Sequence, residues 1–220
     1  MVNETVIHGC RTTKIYCRPD CPPGRRTKPE NRVYFQSVEE ARANGYRACK
    51  VCRPDEEPET LFLTRYSSPL GTYILISSQT GVCYLSPEDK KDYFARWQRS
   101  GARFHEDSEH NRAAVSELDA YFAGHLRRFT VPIELRGTDF QRQIWEILRG
   151  IPYGETRSYG QIAYAAGWIN GSRAVGQAIG RNPISIIVPC HRVIGSNGSL
   201  TGYGGGLPRK SALLKLEKAL

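Results

Sequence analysis

The chain lacks the marks of membrane, fibrous and disulfide-built proteins. No run of about 18 apolar residues occurs, stretches such as Ile184 to Val188 being the longest, so no bilayer-spanning helix is expected. Met1, Val2, Asn3 and Glu4 lack the basic-then-apolar layout of a signal peptide, and a cytoplasmic, non-secreted protein is expected. Glycine and proline, 21 and 13 of 220 residues, are too few for a low-complexity chain. With 40% hydrophobic and 24% charged residues, collagen-like and wholly disordered readings are excluded. Acid is scarce in one place. Residues 136–220 carry 4 Asp/Glu against 11 Lys/Arg, a local charge of +7, while residues 1–58 and 59–135 sum to +3 and −1. Such a basic third is either a polyanion-binding face, with nucleic acid the first candidate, or a solvated surface. Seven cysteines leave at least one thiol outside any set of disulfides, and in a reducing compartment they point to metal binding or thiol chemistry.

The acidic, proline-containing run Asp55-Glu56-Glu57-Pro58-Glu59 marks a domain boundary. After it, LFLTRY, TYILIS and VCYL, separated by turns at Pro69-Leu70-Gly71 and Gln79-Thr80-Gly81, predict a β-meander. Ala114, Val115, Leu118 and Phe122 recur at helical steps and predict a helix packed on that sheet. Phe140, Ile144, Ile147 and Leu148 mark a second helix capped by Thr138 or Asp139. Two short helices follow, SYGQIAYAAG capped by Ser158 and SRAVGQAIG capped by Ser172. The turn Trp168-Ile169-Asn170-Gly171 joins them in a helix-turn-helix layout that many non-binding hairpins share. Ile184 to Val188 reads as a short buried strand and residues 209–220 as a last helix with Leu213, Leu216 and Leu220 on one side. The expected class is α+β in three domains: residues 1–58, small and metal-stapled; residues 59–135, a β-meander plus helix; and residues 136–220, a helical helix-turn-helix domain.

Two hooks of cysteine, Cys17-x3-Cys21 and Cys49-x2-Cys52, suit a tetrahedral four-thiolate Zn2+ site. A segment under 60 residues with few large apolar side chains needs such a staple. Two disulfides are the alternative. His8 and Cys10 lie just upstream and are read as non-ligands. Ser37 to Glu40 has capping-box form, and Gly45 can end the helix it starts. In the last third, Pro189-Cys190-His191-Arg192 follows the apolar run, where Cys190 is either an activated thiol or a buried structural one. Neighbours on an extended strand point to opposite faces, so a water or a local turn must join His191 to Cys190. Glu217, an acid within the last apolar helix pattern, is either a solvated charge or the third member of a relay.

These residues resemble the O6-alkylguanine-DNA alkyltransferases through SPLGTYIL, YFAG, GTDFQRQIWEILRGIPYGETRSYGQIA, SRAVGQAIGRNP, IIVPCHRVIG and GYGGG. The first 55 residues resemble the zinc domain of the bacterial Ada proteins through CRTTKIYCRPDC, ENRVYF and GYRACKVCRPD. Ada proteins usually carry an AraC-like domain between these parts; here residues 56–60 join them directly, which puts promoter binding of the usual kind in doubt.

The resemblance implies DNA repair by a single-turnover methyltransferase. Cys190 takes the alkyl group irreversibly, His191 accepts the thiol proton through water, and Glu217 supports His191. It implies double-stranded DNA as partner, a monomer, no membrane, and a flipped-out guanine. Arg173 matches the residue that fills the gap in the stack. Tyr159 matches the tyrosine that turns the phosphate and helps protonate guanine N3, and Asn182 matches the hinge. Tyr203 resembles the wall of the guanine pocket, and Arg192 is placed with the substrate- and DNA-binding residues. Gly204 stands where many relatives have serine, leaving its backbone N–H to meet the substrate oxygen. Cys17 corresponds to the acceptor of methyl from a backbone phosphotriester, with zinc both holding the fold and activating the thiolate. A methylation-responsive regulator and a cysteine hydrolase using Cys190, His191 and Glu217 are the competing readings; the first needs a sequence-reading domain and the second needs turnover.

Overall fold

The computed structural model describes residues 7–19, 21–90, 97, 101–169 and 171–220. Residues 1–4, on which the signal-peptide reading rests, and Asn170 of the predicted turn lie outside them. The chain divides into two compact units, Met1–Thr60 with Lys91–Phe104, and Leu61–Lys90 with His105–Leu220. Both mix helix and strand, so the class is α+β. No helix among the described residues is long and apolar enough to cross a membrane.

In the first unit, β1 (Ile7–Cys10), β2 (Ile15–Cys17), β3 (Arg32–Phe35) and β4 (Arg47–Ala48) form a sheet in the order β3-β1-β2-β4. Helix α1 spans Pro22–Arg25 and α2 spans Val38–Ala43. Ser37 caps α2 by accepting from Glu40 N at 3.1 Å, and the Glu40 carboxylate reaches back to Gln36 N at 2.7 Å, one residue short of the usual box. Gly45 then leaves the helix at φ +75°, a region costly for other residues. The core here is Ile7, Tyr16, Phe35, Ala41 and Tyr46. At roughly 1.5–3 kcal/mol for each large side chain, that burial cannot offset the ordering of some fifty residues, and a further cross-link is required.

In the second unit, β5 (Thr60–Ser68), β6 (Gly71–Ser77) and β7 (Val82–Pro87) run antiparallel as expected. A fourth strand, β8 (Arg103–Glu106), of which His105 and Glu106 belong to this unit, follows β5 in the strand order; its polar sequence RFHE gives no alternation to read. Helix α3 (Arg112–Phe122) buries Ala114, Leu118 and Tyr121. Helix α4 (Asp139–Arg149) starts in a full Thr138–Gln141 capping box and buries Ile144, Trp145 and Leu148. The helix-turn-helix consists of α5 (Tyr159–Ala165), opened by a Ser158–Gln161 box, and α6 (Ser172–Gly180). Gly171 rather than Ser172 is the residue before α6. The Trp145 indole donates to Ala178 O at 2.9 Å and ties α4 to α6. Strands β9 (Arg157–Ser158) and β10 (Val193–Ile194) pair in parallel, and α7 spans Leu207–Leu216. Leu213 and Leu214 are buried on α7, whereas Leu220, expected on the same apolar side, is 58% exposed.

The expected strand over Ile184 to Val188 is a turn. Among the described residues it makes only isolated bridges, Leu85 with Ile184 and Ser185 with Val188. Val188 N bonds Ile184 O and Ile187 N bonds Ser185 O, both at 2.9 Å. Ile186 sits at φ +73°, a conformation that costs a β-branched residue roughly 1–2 kcal/mol. Burial of all five side chains sustains it: a short apolar run reports burial, and the chain can meet that demand by folding back.

Candidate active site and zinc centre

The turn at Ile184 to Val188 delivers Cys190 to the interior. Cys190–Arg192 forms a single 3-10 turn after Pro189, so the local turn anticipated as one way to join Cys190 and His191 is present. Asn182, just past the C-terminus of α6, fixes both sides of this segment. Its Nδ2 donates to Val188 O at 2.8 Å and to Cys190 Sγ at 3.1 Å, and its Oδ1 accepts from Ile184 N at 3.0 Å. Asn182 thus connects the second helix of the helix-turn-helix to the thiol.

His191 and Glu217 are brought together. His191 Nε2 lies 2.8 Å from Glu217 Oε1 in a wholly buried pair. A carboxylate accepts, so Nε2 carries the ring proton and Nδ1 keeps its lone pair. That Nδ1 is buried and has no hydrogen-bond partner among the described residues. Burial lowers the His191 pKa against the opposing pull of Glu217, and Arg192 and Lys210 lower it further. The imidazole is therefore neutral at physiological pH, as a proton acceptor must be.

Two partners of Glu217 were not read from the sequence. The Tyr121 hydroxyl on α3 donates to Oε1 at 2.6 Å. Arg192 donates through Nε to Oε2 at 2.8 Å and through Nη2 to Oε1 at 2.9 Å. Arg192 Nη1 also donates to Ile151 O at 2.6 Å, and the residue is 6% exposed. The structure thus corrects the placement of Arg192 beside substrate and DNA: it is buried in the relay with its donors committed to protein acceptors. Burial alone would raise the Glu217 carboxyl, but hydrogen bonds from His191 and Arg192 win and hold it down at about 2. For Cys190 burial dominates in the other direction. It raises the thiol pKa against the Asn182 hydrogen bond and the charges of Lys90 and Lys210, so Cys190 rests as a thiol. Lys210 is itself buried, donates to Val193 O and to Thr201 O, and is lowered to about 8 by burial.

The remaining expected residues differ in burial and in partners. Tyr159, first residue of α5, donates its hydroxyl to Thr201 O at 3.1 Å and Gly202 O at 3.0 Å. Arg173 stands exposed on the first turn of α6, with Ala174 and Gln177 exposed beside it and Val175, Ala178 and Ile179 turned inward. Burial, together with Cys190 and Tyr73, raises the Tyr203 phenol well above its ordinary value. Gly204 is exposed in the following loop.

In the first unit, Cys17, Cys21, Cys49 and Cys52 are all buried, and their sulfurs lie within 4.8 Å of one another. Cys21 and Cys49 Sγ are 3.9 Å apart, close to the roughly 3.8 Å edge of a tetrahedron with Zn–S bonds of about 2.3 Å. Backbone N–H groups of Arg18 and Val51 point at Cys52 and Cys49 Sγ, both at 3.4 Å. Four sulfurs this close cannot all ionise unaided: hydrogen bonding to Cys52 and burial raise Cys17, and burial pushes Cys21 up to about 12. A divalent cation removes that conflict, so the donor set fits zinc. His8 lies opposite Cys17 in the β1–β2 pair yet stands outside the four-sulfur cluster, as does Cys10. Chelating the metal from the full chain is expected to bring amides of β1 to β4 to free exchange while those of α3 to α7 stay protected. Hydrogen exchange with mass spectrometry reads this, and unchanged protection of β1 to β4 would contradict a structural metal.

Residues 2–55 match the metal binding domain of Ada, residues 61–135 the ribonuclease-like domain of 6-O-methylguanine DNA methyltransferase, and residues 139–219 its DNA binding domain. A methylated-DNA–protein-cysteine methyltransferase of Mycobacterium leprae is 50% identical over 153 residues, 69% of this chain and 88% of that one. The chain belongs to the methylated-DNA–protein-cysteine methyltransferase family. Another member, from Methanosarcina acetivorans, is 46% identical over 71% of this chain and 98% of its own length. Members from Mycobacterium bovis and Mycobacterium tuberculosis reach 64% identity over 106 residues, and this chain spans 64% of their length. The crystal structure of Mycobacterium tuberculosis OGT in complex with DNA superposes with a TM-score of 0.64 at 46% identity, over 73% of this chain and 93% of that one. The family match and the four-sulfur geometry agree that the N-terminal unit carries a zinc site.

Proposed function

We propose that the protein repairs alkylated double-stranded DNA by moving the alkyl group of O6-alkylguanine to Cys190 once and irreversibly. The observation that supports this most directly is the buried His191–Glu217 pair that follows the buried Cys190 in one 3-10 turn, in which a neutral imidazole keeps a bare Nδ1 and is held by a carboxylate through Nε2. At the reaction His191 Nδ1 takes the thiol proton, through one water as the family resemblance implies. The Cys190 sulfur forms a bond to the alkyl carbon, the carbon–O6 bond breaks, and its electron pair leaves with the guanine. Glu217 stabilises the imidazolium, and Tyr159 supplies a proton to the departing base. The product thioether has no leaving tendency, so the molecule is spent.

DNA enters through the basic third of the chain, with α6 in a groove and Arg173 filling the gap left by the flipped guanine. On this reading residues 1–58, 59–135 and 136–220 serve as metal-bound acceptor module, scaffold and active-site domain, in a monomer of the cytoplasm associated with the nucleoid of a bacterium or archaeon. Cys17 would accept methyl from a phosphotriester. Held by Cys17, Cys21, Cys49 and Cys52, zinc would keep the sulfurs as thiolates at neutral pH, and Cys17 would be the one that attacks, the phosphodiester leaving with the electron pair of the broken carbon–oxygen bond.

One experiment tests both acceptors. Duplex DNA carrying labelled methyl groups is incubated with the full chain, and the labelled cysteine peptides are mapped. One equivalent on the Cys190 peptide from O6-methylguanine is expected, with no further turnover, and label on the Cys17 peptide from methyl phosphotriesters. Repeated turnover, or label confined to other cysteines, would overturn the reading.

A further inference from the structure

Position 204, in the glycine loop before α7, has no side chain, yet the space where one would project is filled. A Cβ built on Gly204 would lie 2.6 Å from Lys90 Nζ and 3.7 Å from Gly180 O. The Lys90 ammonium thus sits where a residue-204 side chain would project. Its charge, like that of Lys210, opposes the rise of the Cys190 thiol pKa, and Lys210 already spends its protons on Val193 O and Thr201 O. The Lys90 ammonium has no hydrogen-bond or ion-pair partner among the described residues. The same built Cβ meets Gly180 O, two residues before the Asn182 that donates to Cys190 Sγ at 3.1 Å, and a half-buried ammonium without a partner among the described residues has its hydrogen-bonding capacity available for a ligand.

Its placement is built. Lys90 N bonds Pro87 O at 3.1 Å and closes the turn after β7. Asp89, in the same turn, accepts from Arg209 Nη1 at 3.0 Å, and that nitrogen also donates to Gly205 O at 3.1 Å. Arg209 Nε adds a bond to Leu70 O at 3.2 Å. One guanidinium therefore ties the β7 turn, the β5–β6 turn and the glycine loop together and holds Lys90 over Gly204.

We propose that Lys90 contacts the substrate, its ammonium donating a hydrogen bond to the guanine oxygen from which the alkyl group departs. The inference rests on Cys190 being the alkyl acceptor. As the carbon–O6 bond breaks, its electron pair goes to that oxygen and the base. A fixed ammonium stabilises this developing charge more than the neutral ether oxygen of the ground state, and keeps its own proton. The same charge favours the attacking thiolate over the thiol.

The test follows alkylation of Cys190 by free O6-benzylguanine and by O6-methylguanine duplex in the full chain. Lys90→Met, which keeps the stem and removes the donors, is expected to slow both reactions about 10²-fold, the usual loss for one donor at a developing oxyanion. Lys90→Gln, with a neutral donor, is expected to fall between. Gly204→Ser alone should slow the reaction, because its Cβ displaces the ammonium, but should speed it in the Lys90→Met background, where the hydroxyl has room to donate. A residue that only supports the loop would give losses that add; the reversal of sign is the signature of one shared donor position. Wild-type rates in Lys90→Met, or Gly204→Ser slowing both backgrounds, would overturn the proposal while Cys190 still became labelled. Absence of label on Cys190 in the unmutated chain would instead bring down the reading beneath it.

Discussion

Cys190→Ala is expected to abolish methyl transfer from O6-methylguanine and leave binding to the same duplex nearly unchanged. On the proposed reading the sulfur supplies the bond that forms, and among the described residues Cys190 is the cysteine held by Asn182. Folding should survive. Asn182 loses its 3.1 Å bond to Sγ but keeps Val188 O and Ile184 N, so the segment stays pinned. The removed atom is small, and a cavity of that size costs about 1 kcal/mol. The residues proposed to meet DNA, Arg173 and its neighbours on α6, are exposed, whereas the thiol is buried. Stoichiometric labelling measures the first effect and a salt-dependent binding titration the second. Label retained by the variant would move the acceptor elsewhere; lost binding would mean that Cys190 also shapes the DNA face.

The zinc centre was legible because its chemistry is local. Two hooks of cysteine on short spacings fix a ligand set whatever fold surrounds them, and the four sulfurs converge as the spacing required. The helix caps were legible for the same reason, as the Thr138 and Ser158 boxes show. The relay was only partly so. Glu217 stood out as an acid in an apolar pattern, but its hydroxyl partner Tyr121 lies 96 residues earlier, and nothing in YFAG distinguishes a tyrosine that packs from one that donates. Arg192 was misplaced because a basic residue beside a nucleophile reads equally well as a substrate contact or a buried counter-charge. Only its 6% exposure separates the two. Lys90 gave no signal, since its position depends on a turn tied down by Arg209, more than a hundred residues away.

Glu217→Gln is expected to damage stability and rate together, in a pH-dependent way that identifies the cause. Every group facing this carboxylate donates: Tyr121 through its hydroxyl, His191 through Nε2, Arg192 through two nitrogens, and Gly154 through its N–H at 3.4 Å. A glutamine keeps one acceptor and brings an NH2 that must confront one of those donors, while the buried Arg192 guanidinium loses its counter-charge. Removing one partner of a buried pair in this way costs about 3–5 kcal/mol. Because the folded carboxyl is held down at about 2, below the ordinary value of 4.5, the charged carboxylate contributes its full stability above 4.5. That contribution is lost as the pH falls through about 2. The gap between wild type and variant should therefore be flat from neutral pH down to about 5 and then close. Urea unfolding followed by helical circular dichroism measures it. The rate should fall about 10²–10⁴-fold in conditions where the variant is still folded, because without the carboxylate the imidazole is a weaker base and its tautomer is no longer fixed. A stability gap that persists unchanged below about pH 2.5 would show that lost packing, rather than the buried charge, accounts for the damage.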